Sequence, residues 1–550
     1  MTSLLLLALA ATWPSSATVR ADLKPIIEEV VNAGLNARVA AERRPRRQAA
    51  DHRHPLLGGG DWNIAGKQDV DDLLTVIDWA ADNVGADSSR IGVVGLSYGA
   101  GLALMGAARE PRIRAVAALS GWGDMVASFY ARRTPMVQSL EMLKLIGAIF
   151  GRVPGTIDAQ LDRLASRDEE YILDYFNERS PVHYIDQLNA NKPAVLFATG
   201  WRDSIFPPNE NVHFFEQFEG PKRYNMRFSD HAITALYGIV GIYTESWDLA
   251  TDWFDVHVKG EPSSGILNEP IVRVRTKVDA PVETADSFAG ISSGAITFAL
   301  EDLSNADGSR GSSFGTLSET GSQVQAASGS GGESSALLQA SSLSYQNQSG
   351  SFYQGDVRPE RLNPKPSAQP ADGGVTFDYS FSTDKTTGAT HGLTLVSNVL
   401  NTNVGIVQTV FLRDLDLSYG GIWLSPAFAD GLAIRGAATL SINVESTASA
   451  GTIVAFLYDV DPSAGSAEYI QSAPYSFPIA GPRLGDGEPF ARTRLDFDLY
   501  LALYDIPAGH RLMLVVQGSD VRLTSQNPAG SVITLSSDAS EPATLTVPIK

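Results

Sequence analysis

No cysteine occurs anywhere in the 550 residues. Disulfides, thiolate metal ligation and a cysteine nucleophile are thereby excluded. Base is scarce: 42 Lys and Arg stand against 62 Asp and Glu, a formal charge of −20. A chain this acidic repels phosphate backbones and anionic lipid faces, so neither nucleic acid nor a membrane surface is expected as a partner. Long apolar runs are lacking too. The nearest, Leu4 to Ala11, offers about eight residues where a spanning helix needs about 20. Only Met1, Thr2 and Ser3 precede it, without Lys or Arg, so it reads as a buried strand rather than a signal-peptide core. Compartment stays unassigned, with cytoplasm favoured over secretion.

What is present is ample apolar material, 43% of residues, on a chain too long for one core. Single cores stop growing near about 250–300 residues, so two or three domains are expected. The first 260 or so residues alternate helix and strand. From Asp69 to Val84, the residues Val70, Leu73, Leu74, Ile77, Ala81 and Val84 recur at helical spacing. Arg90 to Gly95 is a short apolar run bounded by turn signals, and a small-residue helix follows it. Ala115 to Leu119, Ala194 to Ala198 and Tyr224 to Phe228 are further strand candidates. Helices between strands imply a parallel α/β sheet. Thr134 to Phe150 and Thr156 to Phe176 look helical with no strand between them, as a lid inserted in the sheet would. After about residue 262 the pattern turns to short alternating strands, such as Leu440 to Glu445 and Thr544 to Val547, with many Gly and Pro turns. The expected order is an α/β core over 1–121, a helical lid over 122–190, the rest of the core over 191–262 and a β-sandwich over 263–550. Ser304 to Gly350 is Ser/Gly-rich and reads as long loops on that last domain. Ala37 to Pro55 gathers six arginines. A solvated loop is the favoured reading there, over a nucleic-acid arm or a stretch out of its ancestral reading frame.

Gly95-Leu96-Ser97-Tyr98-Gly99 matches the G-x-S-x-G nucleophile elbow, with a strand leading in and a helix leading out. A serine hydroxyl needs a base, and the base needs an orienting acid. The acid should follow a later strand, which selects Asp203 after Ala194 to Ala198. The base should follow the next, which selects His231 after Tyr224 to Phe228. The remaining histidines (52, 54, 183, 213, 257, 391 and 510) fit worse. No histidine pair has the helical spacing of a metal site, so neither a metal nor an organic cofactor is expected.

These residues resemble the α/β-hydrolases of the cocaine esterase and X-prolyl dipeptidyl-peptidase group. The likeness includes Gly200-Trp201-Arg202-Asp203, with His231 28 positions beyond Asp203, and extends to Trp423-Leu424-Ser425-Pro426, Leu457 to Val460 and Asp505 to Leu512. It implies an α/β-hydrolase sheet with a helical lid, followed by a jelly-roll domain. It implies one oxyanion donor from the backbone of Tyr98 and a second from an early loop, where Trp13 holds the expected place. Losing one such donor typically costs about 10²–10³ in turnover. The reading is a serine hydrolase acting on a small ester or amide, with esters favoured. A substrate amine would need acidic partners, for which only Glu169 and Glu170 offer themselves. An X-Pro dipeptidyl-peptidase-type aminopeptidase, or an impaired hydrolase serving as a binding protein, stand as alternatives. Oligomeric state is unassigned.

Overall fold

The computed structural model describes residues 5–9, 63–83, 85–150, 159–160, 162–164, 168–239, 244–261, 265–301, 314–324, 375–390, 408–478 and 488–550. By their contacts the residues fall into two compact units. The first holds 1–125, 139–206 and 210–274, and the second holds 126–138, 207–209 and 275–550.

The first unit is built on a mixed sheet of strands β1 (Leu5–Leu9), β2 (Ile91–Leu96), β3 (Ile113–Leu119), β4 (Ala194–Gly200), β5 (Lys222–Arg227) and β6 (Val272–Val274), in that order. The pairs from β2 to β6 are parallel, and β1 joins β2 antiparallel. Leu4 to Ala11 thus contributes a strand, as its sequence suggests. Every residue of β2 and β4 is buried, which explains their unbroken apolar runs. Helix α1 (Lys67–Asn83) turns Val70, Leu73, Ile77 and Ala80 inward, one or two per turn. Helix α2 (Tyr98–Arg109) is buried along almost its whole length, and its Gly and Ala content lets it lie close against the sheet. The inserted region contributes α3 (Val137–Phe150) and α4 (Glu169–Asn177). Two helices follow that flank the later loops, α5 (Pro208–Gln217) and α6 (Ile233–Ile239).

The second unit is a β-structure whose main sheet runs, from edge to edge, through Val375–Ser382, Val532–Asp538, Thr439–Ser446, Thr544–Ile549, Gly294–Leu300, Gly315–Val324, Gly420–Leu424, Arg511–Gln517, Gly451–Asp461, Ser466–Phe477 and Thr409–Phe411. Pairing along this path is antiparallel, except where Trp423 and Leu424 meet Gly315 and Thr316. The sheet folds over on itself. Phe377 near one end lies 5.8 Å from the ring of Trp423, which is fully buried near the middle. Ile422, Val454, Phe456, Tyr458, Met513 and Val515 continue the core.

Residues 126–138, read from sequence as the start of the lid, pack within this second unit. The Thr134 hydroxyl meets that of Ser476 at 2.8 Å, Thr524 donates to the Pro135 carbonyl, and Met136 joins the Ile422 cluster. Arg132 and Arg133 both take positive φ, 47° and 61°. That left-handed turn and Pro135 delay the helix, so it begins at Val137 and not at Thr134.

Candidate active site

Parallel strands deliver their carboxyl ends to one edge of the sheet, and there the loops after β2, β4 and β5 converge. The loop after β2 is the tightest. Ser97 sits at φ 56°, ψ −114°, directly before α2, and its N–H donates to the Leu119 carbonyl at 2.7 Å. This backbone leaves no room at Gly95: a Cβ there would lie 2.0 Å from the Gly99 carbonyl. The turn is the elbow that the glycine spacing implies. Ser97 keeps part of its surface open, while Leu96 and Tyr98 on either side are buried.

The structure brings three of the sequence-selected residues together. Ser97 Oγ lies 2.7 Å from His231 Nε2. His231 Nδ1 lies 2.9 Å from Asp203 Oδ2 and 3.1 Å from Oδ1. Asp203 is buried, and its Oδ1 also accepts the N–H groups of Ile205 and Phe206 at 3.0 and 2.8 Å. Those bonds fix the carboxylate and leave its negative charge facing the imidazole. Phe206 packs edge-on against the His231 ring at 5.1 Å. The arrangement can take a proton from a serine hydroxyl onto Nε2 while Nδ1–H stays held.

Tyr98 opens α2, so its backbone N–H belongs to the helix N-terminus, where the peptide dipoles favour developing negative charge. Its side chain has a separate task that sequence reasoning missed. The phenol accepts the Ala65 N–H at 2.6 Å and donates to Asp69 of α1. Burial drives the Tyr98 phenol well above its ordinary range and also raises the Asp69 carboxyl. Trp13 lies outside the described residues. Glu169 and Glu170 form the first turn of α4.

Further residues support the loops without a signal in the local sequence. Ser120, at φ 48°, accepts the Ala232 N–H on its hydroxyl. Glu210 of α5 is fully buried and accepts the N–H groups of Gly123 and Asp124 at 2.7 and 2.8 Å. Burial, reinforced by the Asp124 carboxylate, pushes its carboxyl well above the usual range. Asp230 accepts hydrogen bonds from Ser204 and His231. The other described histidines stand apart from this chain of bonds: His183 packs edge-on against Tyr184, His213 pairs with Gln217, His257 lies tilted against Trp253 and His510 bonds to Asp459. Among the described residues no group of three His, Asp or Glu side chains is placed to hold a metal ion.

Comparison with known proteins gives two family matches. Residues 50–233 match the X-Pro dipeptidyl-peptidase (S15 family), and residues 346–547 match the X-Pro dipeptidyl-peptidase C-terminal non-catalytic domain. No curated protein matches the chain by sequence. Among solved structures, an alpha-amino acid ester hydrolase is similar at 14% identity and a TM-score of 0.58, covering 88% of this chain and 80% of its own. A CocE/NonD family hydrolase from Staphylococcus aureus is similar at 13% identity and a TM-score of 0.56, covering 89% and 78%. An aminopeptidase from a marine sediment Thaumarchaeota archaeon is similar at 13% identity and a TM-score of 0.55, covering 87% and 79%. At such identities the likeness speaks to the fold.

Proposed function

We propose that this chain, a hydrolase of the S15 family by its two matched domains, cleaves a small carboxylic ester or amide through an acyl-enzyme on Ser97. The observation that carries the reading is the unbroken set of hydrogen bonds from Ser97 Oγ through His231 to Asp203, at 2.7 and 2.9 Å. Ser97 Oγ attacks the substrate carbonyl as His231 Nε2 takes its proton. Asp203 holds the Nδ1–H tautomer and stabilises the imidazolium. The carbonyl oxygen gains negative charge and meets the Tyr98 N–H at the head of α2, with Trp13 as the second donor. Collapse of the tetrahedral species breaks the bond to the leaving group, which takes the proton from His231. Water, deprotonated by the same imidazole, then attacks the acyl carbon and frees Ser97.

Esters are the favoured substrates. The alternative, release of an X-Pro dipeptide from a peptide, draws on the description of the matched family and requires a partner for the free amine. A panel of p-nitrophenyl esters set against aminoacyl-proline amides separates the two. A fluorophosphonate probe tests the mechanism itself, because only an activated serine labels. Labelling that is lost in Ser97→Ala is the expected result. A chain that turns over substrate but retains that turnover in Ser97→Ala would sink the reading.

A further inference from the structure

Asp230 directly precedes the base, and the acyl transfer described above gives it no role. Its Oδ1 takes three hydrogen bonds: from the His231 N–H at 2.5 Å, the Ser204 N–H at 3.0 Å and the Ser204 hydroxyl at 2.8 Å. Ser204 directly follows the acid. One oxygen therefore ties the residue that carries the imidazole to the residue behind the carboxylate that orients it. The two loops also meet along their backbones, where Trp201 donates to Arg227 and Arg202 donates to Ser229. A Cβ on Gly200 would lie 2.1 Å from the Ser229 carbonyl oxygen, so the contact has no slack. Asp230 adds an ionisable clamp to this seam.

We infer that Asp230 is a positioning residue of the acyl-transfer site: its carboxylate fixes the base loop against the acid loop and must be ionised for full turnover. This inference rests on the triad reading. Burial, and after it the Asp203 carboxylate, push the Asp230 carboxyl up to about 7. Asp203 and His231 are the titratable groups set closest to it along the seam. Arg202 turns its guanidinium over the rings of Trp201 and Phe228, and the Asp203 carboxylate also helps to raise Glu210 of α5. The folded chain thus holds a proton on Asp230 between about pH 4 and 7 that the unfolded chain has already lost. Stability falls as pH rises through that window, and the penalty is complete above the folded value.

The base must be neutral for the site to work, and the loss of a second proton, from Asp230, then brings it to its full rate. On the acid side, log kcat/KM should fall more steeply than one unit per pH unit, with about one extra log unit lost as Asp230 takes up its proton. The test measures kcat/KM for a p-nitrophenyl ester between about pH 5 and 9 in the full chain, Asp230→Asn and Ser204→Ala, with fluorophosphonate labelling to count competent sites. Asn keeps an acceptor oxygen but not the charge. Asp230→Asn is expected to label and to turn over about tenfold more slowly at high pH, about 1.4 kcal/mol. Its acid-side slope should drop to about one, and it should melt higher than the parent above neutral pH. Ser204→Ala should lower the rate and keep the extra acid-side loss. A parent-like rate and slope in Asp230→Asn would overturn the inference, even where Ser97→Ala abolishes labelling. If Asp230→Asn does not fold, an unchanged rate in Ser204→Ala overturns it. A parent chain that resists the label overturns the triad reading, and this inference with it.

Discussion

Gly95 and Gly99 touch across the elbow: a methyl group on Gly95 would stand 2.0 Å from both the carbonyl carbon and the carbonyl oxygen of Gly99. Both are backbone atoms, so no side chain can swing away to make room. Gly95→Ala must therefore push α2 off the sheet or open the turn that presents Ser97. Overpacking of this kind typically costs about 1–3 kcal/mol or more. We expect a lowered melting temperature and a loss of at least about 100-fold in turnover. An Ala variant that melts and reacts like the parent would contradict this geometry.

Asp203 is held on one oxygen by two backbone N–H groups and faces His231 with both. Asn at this position keeps the shape, but it can neither stabilise a charged imidazole nor hold the correct tautomer. A loss of about 10⁴ in kcat is expected, by analogy with the protease triad. The comparison with Asp230→Asn is decisive for the acid. Should Asp203→Asn cost less than tenfold and Asp230→Asn far more, the roles of the two carboxylates are exchanged.

Glu210 gives a stability prediction with a definite sign. Its carboxyl is raised in the folded chain, so folding binds a proton in the range above its ordinary value. Stability contributed by the neutral form is present at low pH and is lost as pH rises through the raised value. Gln at 210 can still accept from Gly123 and Asp124. Glu210→Gln is thus expected to match the parent's melting temperature near pH 5 and to exceed it near pH 8. Melting curves at those two values check it. A variant that falls behind further at the higher pH reverses the sign.

A fragment ending near Gly260 would carry residues 126–138 without the strands they pack on. Thr134 would lose Ser476, Pro135 would lose Thr524 and Met136 would lose its apolar cluster. Exposed apolar surface of this kind promotes aggregation. Residues 1–260 are expected to be poorly soluble or inactive beside the full chain. A soluble fragment with undiminished esterase activity would make the β-unit an accessory.

Local pattern carried much of this architecture into view. The buried strands β2, β3 and β4 are short, mostly apolar runs between turn residues, and the helix from Lys67 to Asn83 shows its inner face at helical spacing. Ser97 was legible because the elbow demands glycine at fixed distances. Asp203 and His231 were legible because strand order limits where an acid and a base can stand. The positive φ of Arg132 and Arg133 was not, because nothing in an Arg-Arg pair marks a left-handed turn. Nor was the clamp at Asp230. Its partner Ser204 lies 26 positions away, and such pairings arise only when two loops are folded together.

The chain passes between its two units after residues 125, 138, 206, 209 and 274. Only the last of these crossings is a boundary of the usual sort between consecutive domains. A recombination event at residue 274 would hand a foreign β-unit to a host that still carries 126–138 and Asn209, whose amide bonds to Leu499 and Leu501 require those particular strand ends. Such an exchange succeeds only if three separated stretches of gene change hands together. The β-unit is therefore expected to be inherited with its hydrolase partner as one lineage, rather than traded as a cassette.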